Sequence, residues 1–320
     1  MNLSLVIPVY NEQENLPFLF EAIQKTMAEV NQSWEAILVD DGSRDKSLSV
    51  LKQYAEKDPR HIRVISFRRN FGQTAAIAAG LDYAQGEIII LLDADMQNDP
   101  ADIPMMLAKL NEGYDLVSGW RKVRKDNAVT RNFPSMLANW LISRVTGVHL
   151  HDYGCTLKVY RRDVLEGFRL YGEMHRFIPV YASSVGANIT EVPVRHYPRK
   201  FGKTKYGLER TAKVILDLFT VKFLVAFASK PIYLFGGTGG LLMVMSAVIM
   251  IYLFIRRIFF LVGVTGSPLF LVSTMFFILG FQSMLMGLIA ELLVRTYHES
   301  QRKPTYTIRT TVNLEQDPRD

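Results

Sequence analysis

A chain of 320 residues exceeds the commonest single-domain size and leaves room for a globular core plus an appendage. Its 37 Lys and Arg against 31 Asp and Glu give a net charge of +6, a mild basic excess that suits nucleic acid, phosphorylated substrates or an anionic membrane face without choosing among them. The lone cysteine, Cys155, excludes an internal disulfide framework, and Cys/His spacing of the zinc type is absent.

The N-terminal stretch MNLSLVIPVYNE lacks the basic region and cleavage site of a signal peptide, so its apolar run is expected to be a first strand. Up to about residue 120, short apolar runs recur at Leu3–Pro8, Ala36–Val39, Arg63–Phe67, Ile88–Leu92 and Leu116–Ser118. Segments of helical periodicity separate them: Glu14–Val30, Asp45–Glu56, Gln73–Ala84 and Ala101–Asn111. Strand-type runs alternating with helices of this length predict βαβ units and a parallel sheet covered on both faces. Ligands of such sheets bind beyond the carboxyl ends of the strands. Those ends carry PVYNE (8–12), DDGS (40–43), RRNFG (68–72) and DADMQ (93–97). No GxGxxG follows the first strand, so the dinucleotide fingerprint is missing.

Residues 121–206 are mixed, rich in Arg and Lys and broken by Gly and Pro; HYPRKFGKTKYG (196–207) reads as a mobile basic loop or a solvated charged face. Pro231 to Ile255 contains no charge, and a second uncharged run extends from Ile258 to Ala290 with GVTGSP (263–268) inside it. As a helix, Leu269–Ala290 would be roughly 33 Å long at about 1.5 Å per residue, enough to cross a bilayer. Two transmembrane helices are expected within 231–294. Lys213, Lys222, Lys230, Arg295, Arg302, Lys303 and Arg309 flank their outer ends, against Arg256 and Arg257 in the connection. The positive-inside rule then puts both termini, including the tail 295–320, in the cytoplasm. Residues 207–230 mix cationic and apolar positions and are expected to lie along the membrane surface.

The acidic pair Asp93 and Asp95 falls where the fourth run stops. Two like charges so close need solvation, protonation or a shared cation. Asp99 and Pro100 already supply the cap and first turn of the next helix, so the pair needs another explanation. Mg²⁺ commonly binds through one or two carboxylates plus substrate phosphates, and Gln97 could add a neutral oxygen. Asp40 and Asp41 suit hydrogen bonds from a base or ribose, with Tyr10 and Glu12 beside them. Arg121 and Arg131 could neutralise phosphate charge. His149 and His151 flank Leu150 without a third ligand at readable spacing, and they and Cys155 are read as structural.

VIPVYNE, VDDGS, DADMQNDP, DYGCTLKVYRR and PRKFGKTKYG, in this order and spacing, resemble the family 2 inverting glycosyltransferases that act on polyprenyl phosphate, such as dolichol-phosphate mannose synthase. RNFGQ, DYGC and RFIPVYA bring the chain nearest the undecaprenyl-phosphate 4-deoxy-4-formamido-L-arabinose transferases. The resemblance implies a GT-A, Rossmann-like nucleotide-sugar domain over 1–206, with two C-terminal transmembrane helices in a bacterial inner membrane. It also implies transfer of a sugar from a nucleotide-diphosphate donor, UDP favoured, to undecaprenyl phosphate, with Mg²⁺ or Mn²⁺ as cofactor. Pro8, Tyr10, Glu12 and Asp41 match nucleotide contacts, and Asp93, Ala94, Asp95 and Gln97 match the metal and diphosphate motif. Arg121 and Arg131 match arginines near the donor phosphates or acceptor. Arg199 and Lys205 match a basic loop that closes over the site. Asp152 is the carboxylate for an acceptor-side role, as positioner or base. Similar enzymes form tetramers, so a homotetramer is an expectation as well. Processive relatives carry Q-x-x-R-W; this chain does not, which implies transfer of a single sugar.

Two other readings are open at this point: a transferase with a non-lipid acceptor, and a non-catalytic membrane scaffold. A nucleic-acid reader fits poorly, because the basic residues cluster at strand ends and beside the apolar runs rather than on a recognition helix.

Overall fold

The structure, a computed structural model, describes residues 1–122, 139, 142–144, 146–165, 170, 174–198, 232–260, 263–300 and 306–314. The chain divides into two compact units, Met1–Val221 with Pro304–Asp320, and Lys222–Lys303.

In the first unit the expected alternation is present. β1 (Leu3–Val9), α1 (Leu16–Glu29), β2 (Trp34–Asp40), α2 (Ser47–Lys57), β3 (Ile62–Phe67), α3 (Gln73–Tyr83), β4 (Ile88–Leu91), α4 (Ile103–Leu110) and β5 (Leu116–Trp120) follow in order. β1, β2 and β3 pair in parallel, and β4 joins β1 in parallel on its other edge. Strands buried on both faces need apolar side chains at every position, which is why these runs are continuous rather than alternating. α1 turns Leu16, Leu19, Phe20, Ile23 and Met27 onto the sheet, and burying each contributes about 1.5–3 kcal/mol. Asp99 caps as its position predicts, its side chain accepting from the Ala101 amide at 3.0 Å. The turn it opens is a single 3-10 turn, Pro100–Asp102, before α4 begins at Ile103.

Three strands escape the sequence periodicity. β6 (Lys158–Arg161) lies antiparallel between β4 and β5, β7 (Ile189–Pro193) follows the helix α5 (Ile178–Ser184) and pairs in parallel with β5, and β8 (Ile308–Val312) lies antiparallel to β3. The described sheet has eight strands in the order β7-β5-β6-β4-β1-β2-β3-β8. Chain order runs outward from β1 through β2 to β3, and then returns to β4 on the opposite side. The sheet therefore changes direction between β1 and β4, and the crevice beyond their carboxyl ends is where open α/β sheets bind ligands.

The second unit is a helical hairpin of α6 (Ile232–Phe260) and α7 (Pro268–Ser300). Phe235–Phe259 and Pro268–Ala290 have mean hydropathies of 2.2 and 1.9, and only 17% and 11% of these windows is buried. Soluble core helices of such composition would be largely buried; here Val244, Ile251, Phe254, Leu271, Met275 and Phe281 are exposed. Both helices are long and apolar enough to span a membrane. Small residues line their mutual seam. A Cβ on Gly239 would come within 2.6 Å of the Gly280 carbonyl oxygen, so only glycine permits this approach. One heptad along, the Ser246 hydroxyl donates to the Ser273 carbonyl at 2.7 Å, and the Ser273 hydroxyl donates to the Ser246 carbonyl at 3.0 Å. Close backbone approach and hydroxyl bonds are the means by which helices associate in lipid, where apolar burial gives no preference.

Candidate active site

Four loops meet at the carboxyl edge of β1–β4, and they are laced to one another. The Asn11 amide donates to Ser43 Oγ at 3.0 Å, the Glu12 amide to Ser47 Oγ at 2.9 Å, and the Arg44 amide to Asn11 Oδ1 at 2.8 Å. Asn11 itself takes a left-handed φ of 53°, tolerable for an asparagine in a loop so tied. Gly42, at φ 68°, has no such alternative, because a Cβ there would lie 2.5 Å from the Arg69 backbone. The DDGS turn thus carries its glycine so that the 68–72 loop can cross it.

The two acids of that turn hold the loops. Asp40 accepts from the Ser43 amide at 3.1 Å and the Ser66 hydroxyl at 2.9 Å. Asp41 accepts from the amides of Phe71 and Gly72 at 2.6 and 2.9 Å. Both are buried. Burial pushes the Asp41 carboxyl up to about 6, against the pull of the two amides, with the neighbouring Asp40 charge adding to the rise. Pro8 and Tyr10 are half-buried beside them, and Glu12 Oε2 accepts from Asn15 Nδ2 at 2.6 Å.

The sign of the Asp41 shift sets a test. Its pKa is higher in the folded chain than the ordinary 3.8, so the fold binds the proton more tightly than the unfolded chain does. The contribution is present in full below about pH 4 and is lost as pH rises through about 6. Measured by thermal melting in detergent, the stability of wild type relative to Asp41→Asn is expected to fall across that window and level off above it. A difference independent of pH would remove the cause assigned to burial.

On the other side of the crevice, β4 delivers Asp93 and Asp95. Gln73 Nε2 donates to Asp93 Oδ1 at 2.8 Å, and the Thr156 hydroxyl donates to Asp93 Oδ2 at 2.7 Å. Asp95 is buried, and its Oδ1 accepts from the Gln97 amide at 3.1 Å across Met96, whose φ is 59°. Ala94, between the acids, is buried in the core, in the turn that follows β4. Burial pushes Asp93 up to about 6 and the Asp95 charge adds to the rise; the Thr156 hydroxyl and the positive charges of Arg121 and Lys158 oppose it. Among the described residues no group of three or more His, Cys, Asp or Glu side chains converges. Two oxygen-donating carboxylates two residues apart, one of them raised by burial first and by the charge of the other second, fit a hard divalent cation with further positions open to diphosphate oxygens.

The DYGCTLK segment supplies the wall behind Asp93. Asp152, 1% exposed, takes Arg121 in a bidentate pair, Nε to Oδ2 at 2.7 Å and Nη2 to Oδ1 at 2.9 Å. Its Oδ1 also accepts from the Gly154 amide at 3.1 Å. A Cβ on Gly154 would meet Arg121 Nη2 at 3.1 Å, so the glycine makes room for the guanidinium. Tyr153 is buried and donates to the Val148 carbonyl at 2.6 Å. Lys158, also buried, donates to the carbonyls of Tyr153 and Cys155, and burial lowers its pKa. Cys155 is fully buried and its thiol is pushed up to about 11, a packed group rather than a nucleophile, in line with the structural reading. His151 stacks on Trp120 at 4.4 Å and pairs with Glu191, while His149 is exposed.

Both carboxylate oxygens of Asp152 are thereby engaged by Arg121. Gln73, Thr156 and Lys158 went unread in the sequence. Pairing of β4 with β6 puts Leu91 opposite Lys158. Continued by two residues, that antiparallel register brings Thr156 across from Asp93. A lysine inside the apolar run TLKVY was the one local sign. Arg131, Arg199, Lys205 and the segment 207–230, expected to lie along the membrane surface, fall outside the described residues.

This architecture and its acidic strand-end loops are those of a GT-A glycosyltransferase. The chain matches the family model for glycosyl transferase family 2 over residues 4–168, and it belongs to that family. A dodecaprenyl-phosphate galacturonate synthase of Rhizobium johnstonii is 40% identical over 312 residues, covering 97% of this chain and 92% of that protein. An undecaprenyl-phosphate 4-deoxy-4-formamido-L-arabinose transferase of Pseudomonas aeruginosa is 36% identical over 310 residues, covering 97% and 90%. Among solved structures, glucosyl-3-phosphoglycerate synthase from Mycobacterium tuberculosis, crystallised with Mn²⁺, UDP and phosphoglyceric acid, superposes with a TM-score of 0.53. It is 18% identical, covers 69% of this chain and 78% of its own, and supports the fold alone.

Proposed function

We propose that this glycosyltransferase moves a single sugar, with inversion, from a UDP-linked donor to a polyprenyl phosphate at the cytoplasmic face of the bacterial inner membrane. The observation that carries the reading is the Asp93–Asp95 pair set beside an Arg121 locked by Asp152, in a chain with two membrane-length helices. The names of the relatives support the lipid-phosphate acceptor.

The nucleotide would lie against Pro8, Tyr10, Glu12, Asp40 and Asp41, with Ala94 beneath the diphosphate. Asp93, Asp95 and Gln97 would hold a Mg²⁺ or Mn²⁺ ion, which supplies charge neutralisation for the departing nucleoside diphosphate. Arg121 adds a fixed positive charge there, and Arg131, Arg199 and Lys205 are proposed for the acceptor phosphate. No general base is needed, since a lipid monophosphate is already anionic, with a second pKa of about 6. Its oxygen can attack the anomeric carbon directly, the bond to the diphosphate breaking as the new one forms.

Placement of both ends on one side of the membrane has support from β8, because the chain leaves the first unit, runs through both apolar helices and re-enters the same sheet, as two crossings would allow. The cytoplasmic side rests on the cationic residues at the outer ends of the apolar runs.

Membranes containing the protein, given undecaprenyl phosphate and UDP-galacturonic acid, UDP-linked 4-formamido-arabinose, UDP-glucose, UDP-GlcNAc or GDP-mannose, are expected to form a lipid-linked product from one UDP-sugar. Transfer to water-soluble acceptors alone would replace the lipid assignment. Failure to bind any nucleotide sugar with Mg²⁺ or Mn²⁺ would favour a scaffold.

A further inference from the structure

β8 follows the apolar hairpin in the chain and closes one edge of the sheet that carries the site. Its far end is pinned by Asn313, whose side-chain amide donates to the Ala55 and Ile62 carbonyls at 2.8 and 2.9 Å. Its near end reaches past β3 into the 68–72 loop, where the Arg68 amide donates to the Thr307 carbonyl at 3.2 Å. Tyr306, just before it, is 4% exposed. Its hydroxyl donates to Asp82 Oδ2 on α3 at 2.7 Å, and its ring stacks on Phe67 with centroids 5.1 Å apart.

From Phe67 the contacts run straight to the site. Phe67 meets Phe71 edge-on at 5.6 Å, and the Arg69 guanidinium covers the Phe71 ring at 4.5 Å. The Phe71 and Gly72 amides are the donors to Asp41, and the next residue, Gln73, is the donor to Asp93. Tyr306 therefore touches both supports of this loop: the strand that enters it, through Phe67, and the helix that leaves it, through Asp82.

We infer that Tyr306 is a positioning residue for the nucleotide half of the site, so that the segment after the membrane hairpin completes the donor pocket. The inference rests on the reading that Asp41 and Asp93 border the nucleoside diphosphate. Without the Tyr306 ring, Phe67 and Phe71 lose their backing and the two amides their fixed direction toward Asp41. Aromatic contacts of this kind are worth enough to change ligand affinity by about tenfold.

The test compares wild type, Tyr306→Ala, Tyr306→Leu and Tyr306→Phe as full-length protein in detergent, by UDP binding in calorimetry and by steady-state kinetics. In the Ala and Leu variants the UDP dissociation constant and the donor KM are expected to rise about tenfold, with kcat and the acceptor KM within about threefold of wild type. Tyr306→Phe, which keeps the ring and loses only the Asp82 bond, should recover most of the affinity. A merely structural role would lower the melting temperature without dividing donor KM from acceptor KM. UDP affinity equal to wild type in a folded Ala or Leu variant overturns the inference; if Ala does not fold, the Leu and Phe pair decides. Absence of UDP binding by wild type would instead overturn the donor-site reading, and the inference with it.

Discussion

Asp95→Ala is expected to abolish sugar transfer, lowering kcat by about a thousandfold or more. A bound divalent cation supplies several kcal/mol of charge stabilisation, and each ~1.4 kcal/mol is tenfold in rate. The companion Asp95→Asn separates loss of a ligand from loss of the fold, since it keeps an oxygen for the Gln97 amide. It also removes the charge that adds to the raised pKa of Asp93. In EDTA its melting temperature should therefore equal or exceed that of wild type, while its transfer activity is lost. Wild type should gain stability from Mn²⁺ with UDP, and the variant should gain less. Transfer at the wild-type rate by Asp95→Ala would sink the metal reading.

Asp152→Asn is expected to cost about a hundredfold or more in kcat, because a misaimed group in a positioned site loses rate on that scale. Asparagine presents one oxygen where the carboxylate serves Arg121 Nε, Arg121 Nη2 and the Gly154 amide together. Its amide hydrogens would face the guanidinium. Breaking a buried ion pair from one side also destabilises the fold, by about 3–5 kcal/mol, since a charge is left buried without its partner. Arg121→Lys should behave similarly, as an ammonium cannot make the bidentate contact. The pH–rate profile distinguishes a positioner from a base. With Asp152 aiming Arg121, the residual activity of Asp152→Asn keeps the wild-type profile. Loss of its acidic limb would make Asp152 the base and overturn the positioning role.

The half of the sheet from β1 to β4 was legible because double-sided burial forces unbroken apolar runs, and the same logic put PVYNE, DDGS and DADMQ on one edge. The acid pair stood out because two carboxylates at the end of a buried strand need a reason. Asp99 as the helix cap was legible too, from its place before Pro100. β6, β7 and β8 were not. Each is four or five residues long and carries charged or hydroxyl side chains, so no local period marks it. Their pairing depends on contacts with residues far away in the chain.

The amino-acid order by itself determined the strand–helix alternation, the apolar hairpin and the side chains present at the binding edge, because burial and turn chemistry act over a few residues. Tertiary structure alone decided which of them work together. Antiparallel pairing of β6 with β4 set Thr156 against Asp93, the buried Asp152 turned Arg121 into a fixed cation, and β8 carried Tyr306 to Phe67. Each of these joins residues more than thirty positions apart, and chain closure over such distances is settled by the packed sheet.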